Sequence, residues 1–261
     1  MTGMAWRSWL VGVAGVLFAF GAGCKERTPT QPSPSRPTAT AVQTQPSGAA
    51  TGPTGDPRKL SAERLHQIGA ALHNYHNEFA GFPPPAVGQD RKPLLSWRVA
   101  ILPYLNEQAL YREFRQNEPW DSPHNKALLA RMPAVYAPPP GTTQEPYTTY
   151  IQGFVGSGTM FEPGMPLRLT AVTDGSTVTL HVVEAGPPVP WTKPDDIPFQ
   201  ADKPVPTLAT PYPDGFYALF VDRSVRFLPR TLDEPTLRAL ITRHGAEPIS
   251  TKLPDPVSVK P

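Results

Sequence analysis

Proline recurs through this chain at intervals too short for a coiled coil or a helical bundle, because each one removes a backbone donor and blocks the helical turn before it. Of the 261 residues, 36 are proline. Between Lys25 and Pro57, seven of them (Pro29, Pro32, Pro34, Pro37, Pro46, Pro53 and Pro57) stand among Thr, Gln, Ser, Gly and Ala. A segment of that composition buries too little apolar surface to offset the entropy of folding, so residues 24–57 are expected to form a disordered, extended tether. Residues 58–247 remain, roughly 190 in number, enough to bury about 70% of the unfolded surface in one core. Residues 248–261 are expected as a flexible tail. The formal charge of +2 is the difference of 24 basic and 22 acidic residues without a basic run. Nucleic acid is therefore not an expected partner.

The first 23 residues read as a signal peptide: a basic Arg7 near the free amine, an apolar run from Ser8 to Phe20, then Gly21-Ala22-Gly23. The apolar run is about 13 residues, short of the roughly 20 that span a bilayer. Cys24, the only cysteine, follows the small residues directly. That placement resembles the lipobox of bacterial lipoproteins, although Gly21 stands where Leu is usual. Lipidation of Cys24 would hold the protein on a membrane, since each buried methylene contributes about 0.8 kcal/mol. Ordinary signal cleavage near Gly21 and an uncleaved anchor are the alternatives. A single cysteine excludes a disulfide within the mature chain.

Within the folded part, Leu65, Ile68, Leu72, Tyr75 and Phe79 recur at spacings of three and four, one apolar stripe of a helix with Ser61 as a plausible N-cap. The stretch from Trp97 to Leu105 or Phe114 reads as helical with a break at Pro103, and Asp121-Ser122-Pro123 as a cap opening a short helix to Arg131. After Gly141 the period changes. Tyr147 to Val155, Leu167 to Val172, Thr177 to Val183, Phe216 to Val221 and Ser224 to Leu228 read as antiparallel strands, with turns at Asp174-Gly175 and Asp222-Arg223. Nine prolines between Gly186 and Pro213 predict a long insertion rather than another element. An amphipathic helix from Asp233 to Arg243, with Leu237, Leu240 and Ile241 inward, closes an α+β domain.

Several blocks share one pattern: Leu65-His66-Gln67-Ile68-Gly69, Gly81-Phe82-Pro83-Pro84, Ser96-Trp97-Arg98, Leu102-Pro103-Tyr104-Leu105, Glu118-Pro119-Trp120-Asp121-Ser122-Pro123-His124-Asn125, Val182-Val183-Glu184-Ala185 and Pro190-Trp191-Thr192-Lys193-Pro194. Their order from about Leu60 to Gly245 resembles the domain-of-unknown-function 1559 family, also called bacterial solute-binding family 10 or H-X9-DG proteins. The resemblance implies a pseudopilin-like fold, a helix laid across an antiparallel sheet, and no established enzymatic activity. Typical members run from a hydrophobic stalk straight into the helix. Here the proline-rich tether stands in its place. They also often carry a cysteine where this chain has Ser61 and another where it has Ala137. The namesake His-to-Asp-Gly motif is altered too, with Tyr212 ten positions before Asp222 and Arg223 in place of Gly.

Chemistry-bearing residues read mostly as structural. His66, His73 and His76 do not have a zinc spacing. Glu184, Asp174 and Asp222 are not accompanied by a nucleophile, and Ser157 lacks the nucleophile-elbow form. The expectations are no enzyme, no metal and no cofactor. Trp97, Trp120 and Trp191 read as core anchors, the usual fate of a lone Trp among prolines, or as a binding surface, and Trp120, His124, Glu184, Trp191 and Lys193 form the candidate binding surface. The expected role is a monomeric, exported module, lipid-anchored through Cys24 in the bacterial cell envelope on the periplasmic or surface face, with envelope or secretion-system proteins as partners. A small-solute-binding lipoprotein is the alternative.

Overall fold

A computed structural model describes residues 56–87, 93–143, 145–164, 166–249 and 251–258. The expected signal peptide, the expected lipidation site Cys24 and the expected tether up to residue 55 lie outside the described residues.

Helix α1 (Pro57–Phe79) starts earlier than its spacing pattern suggests, because Asp56 accepts from the Arg58 amide and Pro57 occupies the first helical position. Ser61 is therefore not the cap. It lies one turn inside the helix, fully buried. Leu65, Ile68 and Leu72 face the core as expected, whereas Tyr75 is half-buried and Phe79 is 55% exposed. The helix stops at Ala80 in the left-handed conformation.

A short pair of strands, β1 (Ala86–Val87) and β2 (Leu95–Ser96), leads into α2 (Trp97–Ala100), a 3-10 turn at Leu102–Leu105 and α3 (Gln108–Glu113). Pro103 and the left-handed Asn106 divide what reads as one helical stretch. Ser122 caps α4 (Pro123–Ala127) by accepting from the Asn125 amide, with Pro123 first in the helix as the sequence predicts.

The remaining elements are β3 (Thr148–Gln152), β4 (Phe154–Val155), β5 (Leu180–Pro190), β6 (Ile197–Pro198), β7 (Gly215–Phe220), β8 (Val225–Pro229) and α5 (Glu234–Ile241). The main sheet is antiparallel in the order β3-β5-β7-β8, and β4 pairs with β6 in parallel. Both faces of the sheet are covered. Val182, Tyr217, Leu219 and Val221 share a core with α1, while Val183, Ala185, Phe216, Ala218 and Phe220 share a second core with Leu240 and Ile241 of α5. Double coverage explains why β7 reads as a continuous apolar run rather than an alternation. Gly69 brings α1 close to β7: a Cβ there would stand 2.9 Å from Leu219 Cδ1.

Three expectations are corrected. Leu167 to Val172 is not a strand but a 3-10 turn at Leu169–Ala171. Asp174-Gly175 is accordingly no hairpin, and the Asp174 carboxylate instead accepts from the Gly245 and Ala246 amides. The insertion begins later than Gly186, because β5 runs on to Pro190 and pairs again with β3 at Thr148 and Thr149. Gly186, at φ 95°, lies in the bulge, and Gln152 Nε2 fills it by donating to the Ala185 and Pro187 carbonyls. The described residues after 247 make two hydrogen bonds with β8. The Val257 amide donates to the Val225 carbonyl at 2.7 Å, and Arg226 donates to Pro254 O at 2.8 Å.

Candidate functional site

The blocks Ser96-Trp97-Arg98 and Pro190-Trp191-Thr192-Lys193-Pro194 meet around one guanidinium. Ser96 Oγ accepts from the Arg98 amide and starts α2, which turns the Arg98 side chain inward, where it is fully buried. Its Nε donates to the Trp191 carbonyl (2.9 Å), Nη1 to Ile151 O (2.9 Å) and Asp196 Oδ1 (3.0 Å), and Nη2 to Lys193 O (2.8 Å) and Asp195 O (3.1 Å). Asp196 Oδ1 also accepts from Trp97 Nε1 at 3.1 Å and the Gly153 amide at 2.9 Å. Burial nevertheless raises the Asp196 carboxyl above its ordinary range, against the lowering effect of Arg98.

The Glu118-to-Asn125 block is organised in the same manner. Buried Asn125 shares its two amide hydrogens among the Arg115, Glu118 and Pro119 carbonyls, each 3.1 Å from Nδ2, and accepts from the Arg115 amide. Its side chain holds the loop between α3 and α4 closed on itself.

The structure divides the five candidate surface residues. Trp191 is fully buried, stacked on Tyr136 at 5.7 Å, and its Nε1 donates to Leu129 O. Glu184 is 1% exposed. Neither belongs to an accessible surface, a correction with a common cause: β5 and the loop after it are covered by α1 and by the segment around Tyr136. Trp120 and Lys193 do come together, with Lys193 Nζ 5.9 Å from the indole centroid. His124 is half-buried and bonds through Nε2 to the Glu113 carbonyl at 2.7 Å.

Glu184 has partners that no sequence spacing announces. Ser61 Oγ lies 2.9 Å from Glu184 Oε1 and 2.9 Å from the Tyr212 hydroxyl, which donates to the Pro57 carbonyl at 3.0 Å. Glu184 Oε2 is buried with no hydrogen-bond partner among the described residues. Burial pushes the Glu184 carboxyl up to about 7, with Ser61 and the Arg64 charge acting in the opposite direction. The signal available in the sequence was departure from pattern, since the resemblance implies a cysteine at the place of Ser61 and a histidine at that of Tyr212.

His73 and His76 pack at the rim of the core and His181 inside it. His73 Nε2 is 2.7 Å from Val221 O, His76 accepts from the Leu169 amide, and His181 lies edge-on to Phe82. Among the described residues, no group of three or more His, Cys, Asp or Glu is placed to share a metal ion. A cleft of about 360 Å³ is lined by Thr173, Asp174, Val178, Ala239, Ala246, Glu247 and Ile249. Its polar groups are engaged internally: Asp174 with two amides, Thr173 Oγ1 with Arg243 O, and Glu247 Oε2 with Thr242.

A family model described as "Protein of unknown function (DUF1559)" matches residues 58–205, more than half of the chain. The chain belongs to the DUF1559 family. The matched span contains Arg98, Asn125, Glu184 and Asp196, so the DUF1559 blocks fall on the two buried polar hubs described above. Tyr212, β7, β8 and α5 lie beyond the DUF1559 match. No curated protein and no solved structure matches the chain.

Proposed function

We propose that this DUF1559 member is a non-catalytic envelope protein, lipid-anchored through Cys24, whose folded head is a structural or interaction module in a secretion-type assembly. The observation that carries the reading is the inward use of the motif chemistry. All five donors of Arg98 and all three hydrogen bonds donated by Asn125 hold loops in place. Residues of a catalytic or solute site would instead point their polar atoms into a cleft. In the cleft beside Asp174 the Asp174 carboxylate and the Thr173 hydroxyl are taken up by the protein's own groups, which disfavours solute capture. The accessible chemistry at the far end of α1 is aromatic: Phe79 lies against Tyr75 at 4.5 Å, and Tyr75 against Tyr104 at 6.1 Å. Aromatic side chains presented to solvent suit a protein contact.

Anchoring is tested by Cys24→Ser in the full chain. The processed variant should move from the membrane to the soluble envelope fraction, and unchanged retention would refute the anchor. The interaction role is tested by crosslinking in intact envelopes, with Phe79→Ala expected to reduce partner capture. Turnover in a hydrolase screen that depends on Glu184 or Asp174, in a folded protein, would overturn the non-catalytic reading.

A further inference from the structure

Three oxygen-to-oxygen contacts run in a line beneath the first turns of α1. They join Glu184 Oε1 to Ser61 Oγ at 2.9 Å, Ser61 Oγ to Tyr212 Oη at 2.9 Å, and Tyr212 Oη to the Pro57 carbonyl at 3.0 Å. A full-strength hydrogen bond needs its own hydrogen, a shared one being weaker, and the two hydroxyls supply one apiece. With Glu184 ionised, two hydrogens serve three contacts. Ser61 donates to the carboxylate, and Tyr212 then donates to Ser61 or to Pro57, not to both at full strength. Since Ser61 and Pro57 both belong to α1, either choice costs the helix one of its two bonds to Tyr212. With Glu184 protonated the line closes: Glu184 donates to Ser61, Ser61 to Tyr212, and Tyr212 to Pro57.

We infer that the line is a proton-operated clasp: proton uptake at Glu184 fastens the first turns of α1 to Tyr212, and proton loss loosens the point at which the chain joins its folded head. The clasp does not depend on the proposed function. Its position is suited to the role, because Ser61 is fully buried, Glu184 is 1% and Tyr212 7% exposed, and Pro57 is the first residue of α1. Solvent water is thus poorly placed to supply a hydrogen between Glu184, Ser61 and Tyr212, whereas Pro57 is exposed and water can take up its carbonyl when Tyr212 lets go.

The charged and titratable groups around Glu184 come from each packed element. Arg64 of α1 favours the ionised form, while its Nη1 is held by Ala137 O at 2.7 Å. Tyr217 of β7 and Tyr212 feel the Glu184 charge, and both phenols are raised, chiefly by burial. Arg58 lies 5.0 Å from the Tyr212 ring centroid and pairs with Asp214 at 2.6 Å. Across the sheet, β3 presents the neutral Ile151 opposite Glu184. Burial raises Glu184 from its ordinary 4.5 to about 7, so the bonded acid form dominates below neutrality and is lost as the pH rises through about 7.

The test is amide hydrogen exchange of the full chain, read on peptides spanning Pro57–Ala62 at pH 5.5 and pH 8.5 and corrected for intrinsic exchange rates. Protection in the native sequence should fall roughly fivefold to tenfold at pH 8.5, the effect of losing one neutral hydrogen bond. His181 does not confuse this window, since burial lowers it to about 3. Glu184→Gln carries an amide donor at every pH and should keep the high protection at both. Tyr212→Phe removes both contacts to α1 and should give low protection at both. Equal protection of the native sequence at the two pH values would overturn the clasp. So would an undiminished pH dependence in Glu184→Gln, or Tyr212→Phe protected as well as the native sequence at pH 5.5.

Discussion

Replacing Arg98 with Met probes the buried polar hub on which five donors of one side chain converge. A guanidinium has five N–H donors, and in this structure each has an acceptor: four backbone carbonyls and Asp196. Methionine fills much of the same volume but donates to none of them. The Asp196 carboxylate, 1% exposed, keeps its bonds from Trp97 and Gly153 and loses its cation. Removing one partner of a buried ion pair costs about 3 to 5 kcal/mol, and stranded carbonyls add to this without being additive among themselves. We therefore expect a loss of at least about 4 kcal/mol, a large share of the roughly 5 to 15 kcal/mol that holds a domain folded. At roughly 2 to 4 °C per kcal/mol for a domain of this size, Tm should fall by about 10 °C or more. Urea titration followed by tryptophan emission is a suitable assay, because Trp97 and Trp191 both adjoin the guanidinium. Asp196→Asn should cost less than Arg98→Met, since it leaves Arg98 four carbonyl acceptors and removes a carboxylate that burial disfavours. Combining the two changes should recover about 1 to 3 kcal/mol relative to additivity. An Arg98→Met protein within 1 kcal/mol of the native sequence would refute the view that this hub organises the fold.

Two further tests concern packing and protonation. Leu72→Ala should cost about 2 to 5 kcal/mol by opening a cavity under α1, whereas Phe79→Ala, on the same helix but 55% exposed, should cost under about 0.5 kcal/mol; equal denaturation midpoints would show that the buried face is misassigned. His181 is held neutral by burial, its value lowered from 6.5 to about 3. Its stabilising effect is complete above pH 6.5 and is lost as the pH falls toward 3, so His181→Leu should flatten the acid limb of a stability-against-pH curve, and an unchanged limb would contradict this.

Local chemistry accounts for the features that were legible in the residues. The inner face of α1 follows from the spacing of Leu65, Ile68 and Leu72, the start of α4 from Ser122 beside Pro123, and the β7–β8 hairpin from Asp222, whose carboxylate accepts from the Ser224 amide. Each depends on groups within about a turn of one another, so no distant partner enters. The failures share the opposite property. Leu167 to Val172 has strand-like side chains but turns into a 3-10 segment, because β-propensity describes fit to a neighbouring strand and not a backbone preference of its own. Gly186-Pro187-Pro188 resembles a strand terminator, yet β5 continues beyond it because Gln152, from β3, supplies donors to the bulge. For Trp191 the residues leave a core anchor and a binding surface both open, and Glu184 stands as a surface candidate at the end of an apolar run; both are interior. What places Glu184 there is Ser61, 123 positions away along the chain, and what gives Arg98 its acceptors is a loop more than 90 positions distant. A composition, a helical period or a cap is written in neighbouring residues. The burial and protonation of a polar side chain depend on which remote atoms the fold brings within 3 Å of it, and only the tertiary structure decides that.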